Sequence, residues 1–180
     1  MPAQITLNDK SFSIYIHDSE IQPQIKRMAK EIVADMGDKN PLFICILNGS
    51  FMFTSELMRE IDGDYQLCFA QYASYSGTRS TGAIQEIMKP QISVEGRHVI
   101  ILEDLIDSGL TLDHIRALYT SRGAKEVKLA VLLHKPDAPK VVDVKPDYLG
   151  LEIPPDFIVG HGLDYDGRGR LYKDIYKLIE

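Results

Sequence analysis

The sequence predicts an α/β fold with a mainly parallel central sheet flanked by helices. Short runs of β-branched and other apolar residues alternate along the chain with stretches whose apolar residues recur every three or four positions. Two of those runs, at 42–47 and 99–102, are apolar throughout, as expected of strands covered on both faces. There is no internal repeat and no low-complexity segment, so the 180 residues read as a single domain, 1–180, large enough to bury its own core.

Phe12, Ile14 and Ile16 alternate with Ser11, Ser13 and Tyr15, which gives a strand with one buried face. Ser19 is the expected cap of a helix bearing Ile21, Ile25, Met28, Ile32 and Met36, with Gly37 as its stop. The apolar strand at 42–47 ends in Asn48-Gly49-Ser50, and 51–61 has the pattern of a further helix. Strands are predicted at 65–72, 83–88, 99–102 and 127–133. A helix over 111–121, stopped by Gly123, lies between the last two. The proline-bearing passage 135–155 reads as a winding connection with one short strand, since only 25 residues follow it.

Composition narrows the function. Hydrophobic and charged contents of 44% and 26% are those of a globular protein. A net charge of -6 disfavours nucleic acid and anionic membranes as partners, so an anionic substrate must be captured by a local site. Cys45 and Cys68 lie in apolar runs without metal or redox spacing, and the five histidines form no ligand pair. No run reaches the length of a membrane span, so a cytoplasmic location is expected.

The most informative stretch is 98–112, HVIILEDLIDSGLTL. An apolar strand is expected to end at Glu103 and Asp104. Asp107-Ser108-Gly109-Leu110-Thr111 then opens a helix. Free amides at a helix start, with small hydroxyl residues beside them, make a cup for phosphate. Adjacent carboxylates suit a vicinal diol or a magnesium ion beside it. Diol and then phosphate describes a ribose 5-phosphate. An ordinary helix cap would account for Asp107 or Ser108, but not for two further acids.

This stretch resembles the phosphoribosyl-pyrophosphate signature of type I phosphoribosyltransferases, while Walker A and dinucleotide-binding patterns are absent. Other loops are similar to that family in matching order. Leu47-Asn48-Gly49-Ser50 resembles its pyrophosphate turn, often Leu-Lys-Gly-Gly or Leu-Lys-Gly-Ser with a non-proline cis peptide after the Leu. Asn48 here removes one positive charge and leaves the amide cup of Asn48 and Gly49. The loop 74–82 resembles the catalytic lid, whose Ser74-Tyr75 pair closes over the donor and keeps water from a cationic ribosyl centre.

Lys135 aligns with the lysine that donates to the 6-oxo group of a purine. Phe157 matches the aromatic that stacks on the base, with Ile158 offering backbone groups to its edge and Leu163 packed nearby. Asp164 resembles the acid that helps hold magnesium on pyrophosphate. Arg170 would pair with pyrophosphate oxygens, with Arg168 a competitor for that role.

The resemblance therefore implies a 6-oxopurine phosphoribosyltransferase with Mg2+ as cofactor and a small cap formed by the terminal segments. Its substrates would be phosphoribosyl pyrophosphate and hypoxanthine or guanine, and its assembly a homodimer or homotetramer. Glu103 and Asp104 would hold the ribose hydroxyls, directly or through magnesium. Ser108, Gly109, Leu110 and Thr111 would hold the 5-phosphate, and Asp107 would also face N7 of the purine as a general base. The alternatives are a xanthine-preferring transferase and a nucleotide-sensing regulator of the same fold. A regulator of that kind should carry a basic surface or an added nucleic-acid module, and neither is visible. Lys135 and Phe157 argue against a pyrimidine substrate.

Overall fold

A computed structural model of the chain describes residues 2–74 and 84–179. In chain order its elements are β1 (Gln4–Leu7), β2 (Lys10–Ile16), α1 (Asp18–Met36), β3 (Leu42–Leu47), α2 (Phe51–Glu60), β4 (Leu67–Ser74) and β5 (Ile84–Met88). There follow β6 (His98–Ile106), α3 (Leu110–Ser121), β7 (Glu126–His134), β8 (Tyr148–Glu152), β9 (Ile158–Val159) and β10 (Ile175–Leu178). Among the described residues no helix is long and apolar enough to cross a membrane.

Six strands form the central sheet in the order β5-β4-β3-β6-β7-β8. All neighbours are parallel except β4 and β5, so the mainly parallel sheet read from the sequence is present. Side chains of α1 and α2 pack on one face against Phe43, Ile100, Leu102 and Leu132. Leu112, Ile115 and Tyr119 of α3 cover the other face, against Ile44, Ile101, Leu129 and Val131. Alternate residues of the all-apolar strands are thus consumed by opposite layers, which is why those strands show no polar alternation.

The chain leaves β3 in one direction toward β4 through α2, and leaves β6 in the other direction toward β7 through α3. The strand order therefore reverses between β3 and β6. The crevice at their carboxyl ends is the natural ligand position of an open α/β sheet.

A second, antiparallel sheet is formed by the two ends of the described chain, in the order β1-β2-β10-β9. Its small core of Ile5, Leu7, Phe12, Val159 and Tyr176 is the cap implied by resemblance.

Several boundaries differ from the sequence reading. Strand β1 is additional to it, because four residues offer only Ile5 and Leu7 as an alternating pair. Helix α1 starts at Asp18 with His17 as its cap residue, in place of Ser19, and the His17 amide donates to Glu20 at 3.0 Å. Gly37 continues in right-handed geometry into a short 3-10 turn, and the left-handed stop falls on Asn40. The most consequential difference concerns β6. It runs on through Glu103 and Asp104 to Ile106, because β7 extends beside it and pairs Leu105 with Leu133 and Ile106 with His134.

Candidate functional site

Gly109 adopts a left-handed φ of 79° that favours glycine, and it turns the chain from β6 into α3. A Cβ there would lie 2.2 Å from the carbonyl oxygen of Val142. The Ser108 carbonyl accepts from the amides of Val141 and Val142 at 3.0 and 3.2 Å, so the connection after β7 braces the turn from outside. With Gly109 as cap residue, the amides opening α3 face a cavity of about 200 Å³. It is lined by Glu103, Leu105, Ile106, Asp107, Ser108, Gly109, Thr111 and Leu112. The predicted diol acid Glu103 and the predicted phosphate cup thus share one cavity, with the exposed Asp107 between them.

Glu103 and Asp104 are both buried, and the Asp104 amide donates to Glu103 Oε1 at 3.2 Å. Burial, and then the charge of Asp104, hold the Glu103 carboxyl well above its usual range. Burial also raises Asp104, opposed by hydrogen bonds from Glu103 and backbone amides and by the nearby Arg170 charge. Two adjoining hard-oxygen ligands that are costly to ionise suit a divalent cation or a pair of hydroxyls. Among the described residues no three of His, Cys, Asp and Glu converge as a metal cluster. Magnesium commonly takes one or two carboxylates and completes its shell with water and phosphate oxygens, so this donor set fits it.

Across the switch point, the Leu47–Asn48 peptide is cis. Gly49 approaches so closely that a Cβ on it would lie 1.8 Å from Asp104 Oδ2. The Ser50 hydroxyl turns inward to the Ile46 carbonyl at 2.6 Å, so this turn offers backbone more than hydroxyl to a ligand. The thiol of Cys45 lies 3.2 Å from Ser50 Oγ and is pushed up by burial, as expected of an inert buried cysteine.

The hairpin after β9 closes over the same turn. Gly162 packs so that its Cβ would lie 1.9 Å from the Gly49 carbonyl oxygen. Arg170 donates through Nη1 to the Gly162 carbonyl and pairs through Nη2 with Asp164 Oδ1, both at 2.7 Å. The other Asp164 oxygen accepts the Gly167 amide at 2.7 Å. Each oxygen of Asp164 thus has a protein partner, and Arg170 keeps further N–H groups beyond these two contacts. Arg168 is exposed, and its backbone pairs with that of Tyr165.

Lys135 is placed against the end of β6 by its amide, which donates to the Ile106 carbonyl at 3.1 Å. It is only 7% exposed and has no hydrogen bond or ion pair from its side chain to another described residue. Phe157 is 46% exposed; its ring meets Tyr165 edge-on at 5.9 Å and lies tilted at 6.2 Å from Phe12. Ile158 is buried in β9, and Leu163 is half-buried against the main core. Ser74 closes β4, while its predicted partner Tyr75 lies outside the described residues. A separate groove of about 520 Å³, among β2, α1 and β8, contains none of the sequence-predicted residues.

Sequence reasoning misses the contact of Gly162 with Gly49 and the buried His161 beside it. The run Gly160-His161-Gly162 is the available signal, since glycines flanking a residue permit both sharp turns and close backbone approach.

Three comparisons bear on this geometry. The family model for the phosphoribosyl transferase domain matches residues 16–166. The hypoxanthine-guanine phosphoribosyltransferase of Bacillus subtilis is 40% identical over 158 residues, which is 87% of each chain. The crystal structure of such an enzyme from Bacillus anthracis superposes with a TM-score of 0.87 at 32% identity, covering 93% of this chain and 98% of that one. A hypoxanthine phosphoribosyl transferase of Trypanosoma cruzi also gives 0.87, at 33% identity, covering 97% and 95%.

Proposed function

The chain belongs to the phosphoribosyl transferase domain family, and on that premise we propose how its residues divide the work of the purine-salvage reaction. A 5-phosphoribosyl group passes from phosphoribosyl pyrophosphate to N9 of hypoxanthine or guanine, giving the nucleotide and pyrophosphate. The observation that carries this assignment is the convergence, at the β3–β6 switch point, of three features. These are the acid pair with its phosphate cup, the Gly49 turn beneath the Asp164–Arg170 hairpin, and Lys135 bonded to the end of β6.

The amides of Gly109 to Leu112, with the hydroxyls of Ser108 and Thr111, hold the 5-phosphate. Glu103 and Asp104 orient the ribose hydroxyls. Asp107 takes or shares the N7 proton as N9 attacks the anomeric carbon and the bond to pyrophosphate breaks. Lys135 donates to O6, which rewards an oxo acceptor and disfavours the amino group of adenine. Phe157 stacks on the base, Ile158 lends backbone groups to its edge, and Leu163 closes the pocket. On the far side, the amides of Asn48 and Gly49 and the free N–H groups of Arg170 receive pyrophosphate. Ser74 and Tyr75 screen the ribosyl centre from water. Glu103 and Asp104, with Asp164 at the pyrophosphate end, would hold magnesium, which when bound would supply charge neutralisation for the leaving group. The protein's share is positioning and electrostatic stabilisation.

Buried free thiols and a net charge of -6 favour a reduced cytoplasmic setting and small-molecule rather than nucleic-acid partners. By resemblance to the family the working form is a homodimer or homotetramer. The test is pyrophosphate release from phosphoribosyl pyrophosphate and magnesium with hypoxanthine, guanine, xanthine and adenine in turn. Turnover with the first two and not with adenine is expected. Turnover with xanthine alone would select the xanthine-preferring reading, and none with any 6-oxopurine would select the non-catalytic sensor.

A further inference from the structure

His161 is the least expected residue of the hairpin that carries Asp164 and Arg170. It is 1% exposed and adopts a left-handed φ of 49°, a region uncommon for residues other than glycine. Its amide donates to the Tyr172 carbonyl at 2.7 Å, and its Nε2 lies 2.9 Å from Glu56 Oε2 on α2. Glu56 is held below its usual range because hydrogen bonds and charge from His161, with a hydrogen bond from Gln22, outweigh its burial. An ionised Glu56 can only accept, so Nε2 carries the proton that it donates, and Nδ1 is left buried without a partner among the described residues.

The bond belongs to a longer chain of contacts. Gln22 donates to both Glu56 Oε2 and Asp18 Oδ1 at 2.9 Å, and the Asp18 amide donates to Asp174 Oδ1 at 2.8 Å. Asp174 and His161 flank the hairpin on its two sides, so the cap is fastened to α1 at one end and to α2 at the other. Helix α2 begins immediately after the Asn48–Ser50 turn, and Gly162, next to His161, rests on the Gly49 carbonyl. Arg170 is held in turn by the Gly162 carbonyl.

We infer that His161 and Glu56 form a positioning pair, whose hydrogen bond sets the separation between the Asp164–Arg170 hairpin and the Gly49 turn and so tunes the affinity of the site for pyrophosphate. The inference rests on the reading that these two segments receive pyrophosphate. Neither His161 nor Glu56 touches substrate. Their effect is transmitted through Gly162 and Arg170, and the 5-phosphate cup of Ser108 to Thr111 makes none of these contacts.

The experiment compares the binding of inorganic pyrophosphate with magnesium and of inosine monophosphate to the full-length protein by calorimetry. Glu56 is half-buried on a helix, so Glu56→Ala keeps the fold and removes the acceptor. It should weaken pyrophosphate about 10-fold while changing the nucleotide less than about 2-fold. Glu56→Gln, whose amide oxygen accepts the same N–H, should restore most of the pyrophosphate affinity. His161→Phe should match Glu56→Ala, and the double variant should be no weaker than either single one. Unchanged pyrophosphate affinity in Glu56→Ala, or a parallel loss for the nucleotide, overturns the positioning role. Failure of the parent protein to bind pyrophosphate at all would instead remove the underlying reading.

Discussion

The Cα of Gly49 and the carboxylate of Asp104 are so close that a side chain on the first would occupy the place of the second. A methyl group at Gly49 would put its carbon 1.8 Å from Oδ2 and 2.6 Å from Cγ of Asp104. Gly49→Ala must therefore swing Asp104 out of position or push the turn away from β6. The expected result is a rise in the KM for phosphoribosyl pyrophosphate of about 10-fold or more. Overpacking should also cost about 1–3 kcal/mol of stability, and the KM for the purine should change little. Steady-state kinetics with each substrate varied separately, alongside thermal melting, provides the check. A normal KM for the donor would count against the acid pair as a donor contact.

Asp107 stands exposed between the acids and the phosphate cup, free to reach a ligand. Asp107→Asn keeps the size and the cup geometry and removes the base. Nucleotide binding should survive while turnover falls about 10- to 1000-fold. Single-turnover kinetics isolates the chemical step, and an unchanged rate there would remove the proton-transfer role.

Lys135 combines burial with the lack of an acidic partner among the described residues. In Lys135→Ala the hypoxanthine affinity should drop about 10- to 100-fold and discrimination against adenine should relax. Removing a desolvated cation should leave the melting temperature unchanged or raised. A loss of stability with base preference intact would make Lys135 a structural residue.

Away from the site, Arg122 grips Glu86 with two 2.7 Å hydrogen bonds, and Tyr72 donates to the same carboxylate at 2.9 Å. The Arg122 hydrogen bond is the main reason that Glu86 is lowered from its ordinary value of 4.5. A lowered acid stabilises the fold above its unfolded pKa, and that contribution disappears as pH falls through the folded value. Glu86→Gln should therefore cost about 1–2 kcal/mol at pH 7 and progressively less below pH 4.5. Melting curves across that range test the sign. A difference that grows on acidification would contradict it. Tyr72, raised to about 12 mainly by burial, stays a neutral donor throughout.

What the sequence makes legible is local. The order of strands and helices follows from apolar period, and the proposed phosphate cup from the turn chemistry of Asp107 to Thr111 within one short stretch. Even there, the end of β6 is hidden. Two acids look like a strand terminus when only the chain itself is seen, and it is β7 alongside that keeps them in the sheet. The closure of the cap onto the Gly49 turn is illegible for a deeper reason. It depends on contacts between Gly162 and Gly49 and between His161 and Glu56, pairs far apart in the chain that carry no periodic signal.

The continuation of β6 past Glu103 to Ile106 has a metric consequence. An extended chain advances about 3.3 Å per residue, and its length cannot be adjusted as a loop's can. The interval from the acid pair to the phosphate cup is accordingly a ruler cut into the sheet and held straight by β7. On the proposed assignment, a sugar phosphate whose hydroxyls and phosphate are closer or farther apart than those of ribose 5-phosphate would meet one end of that ruler, but not both.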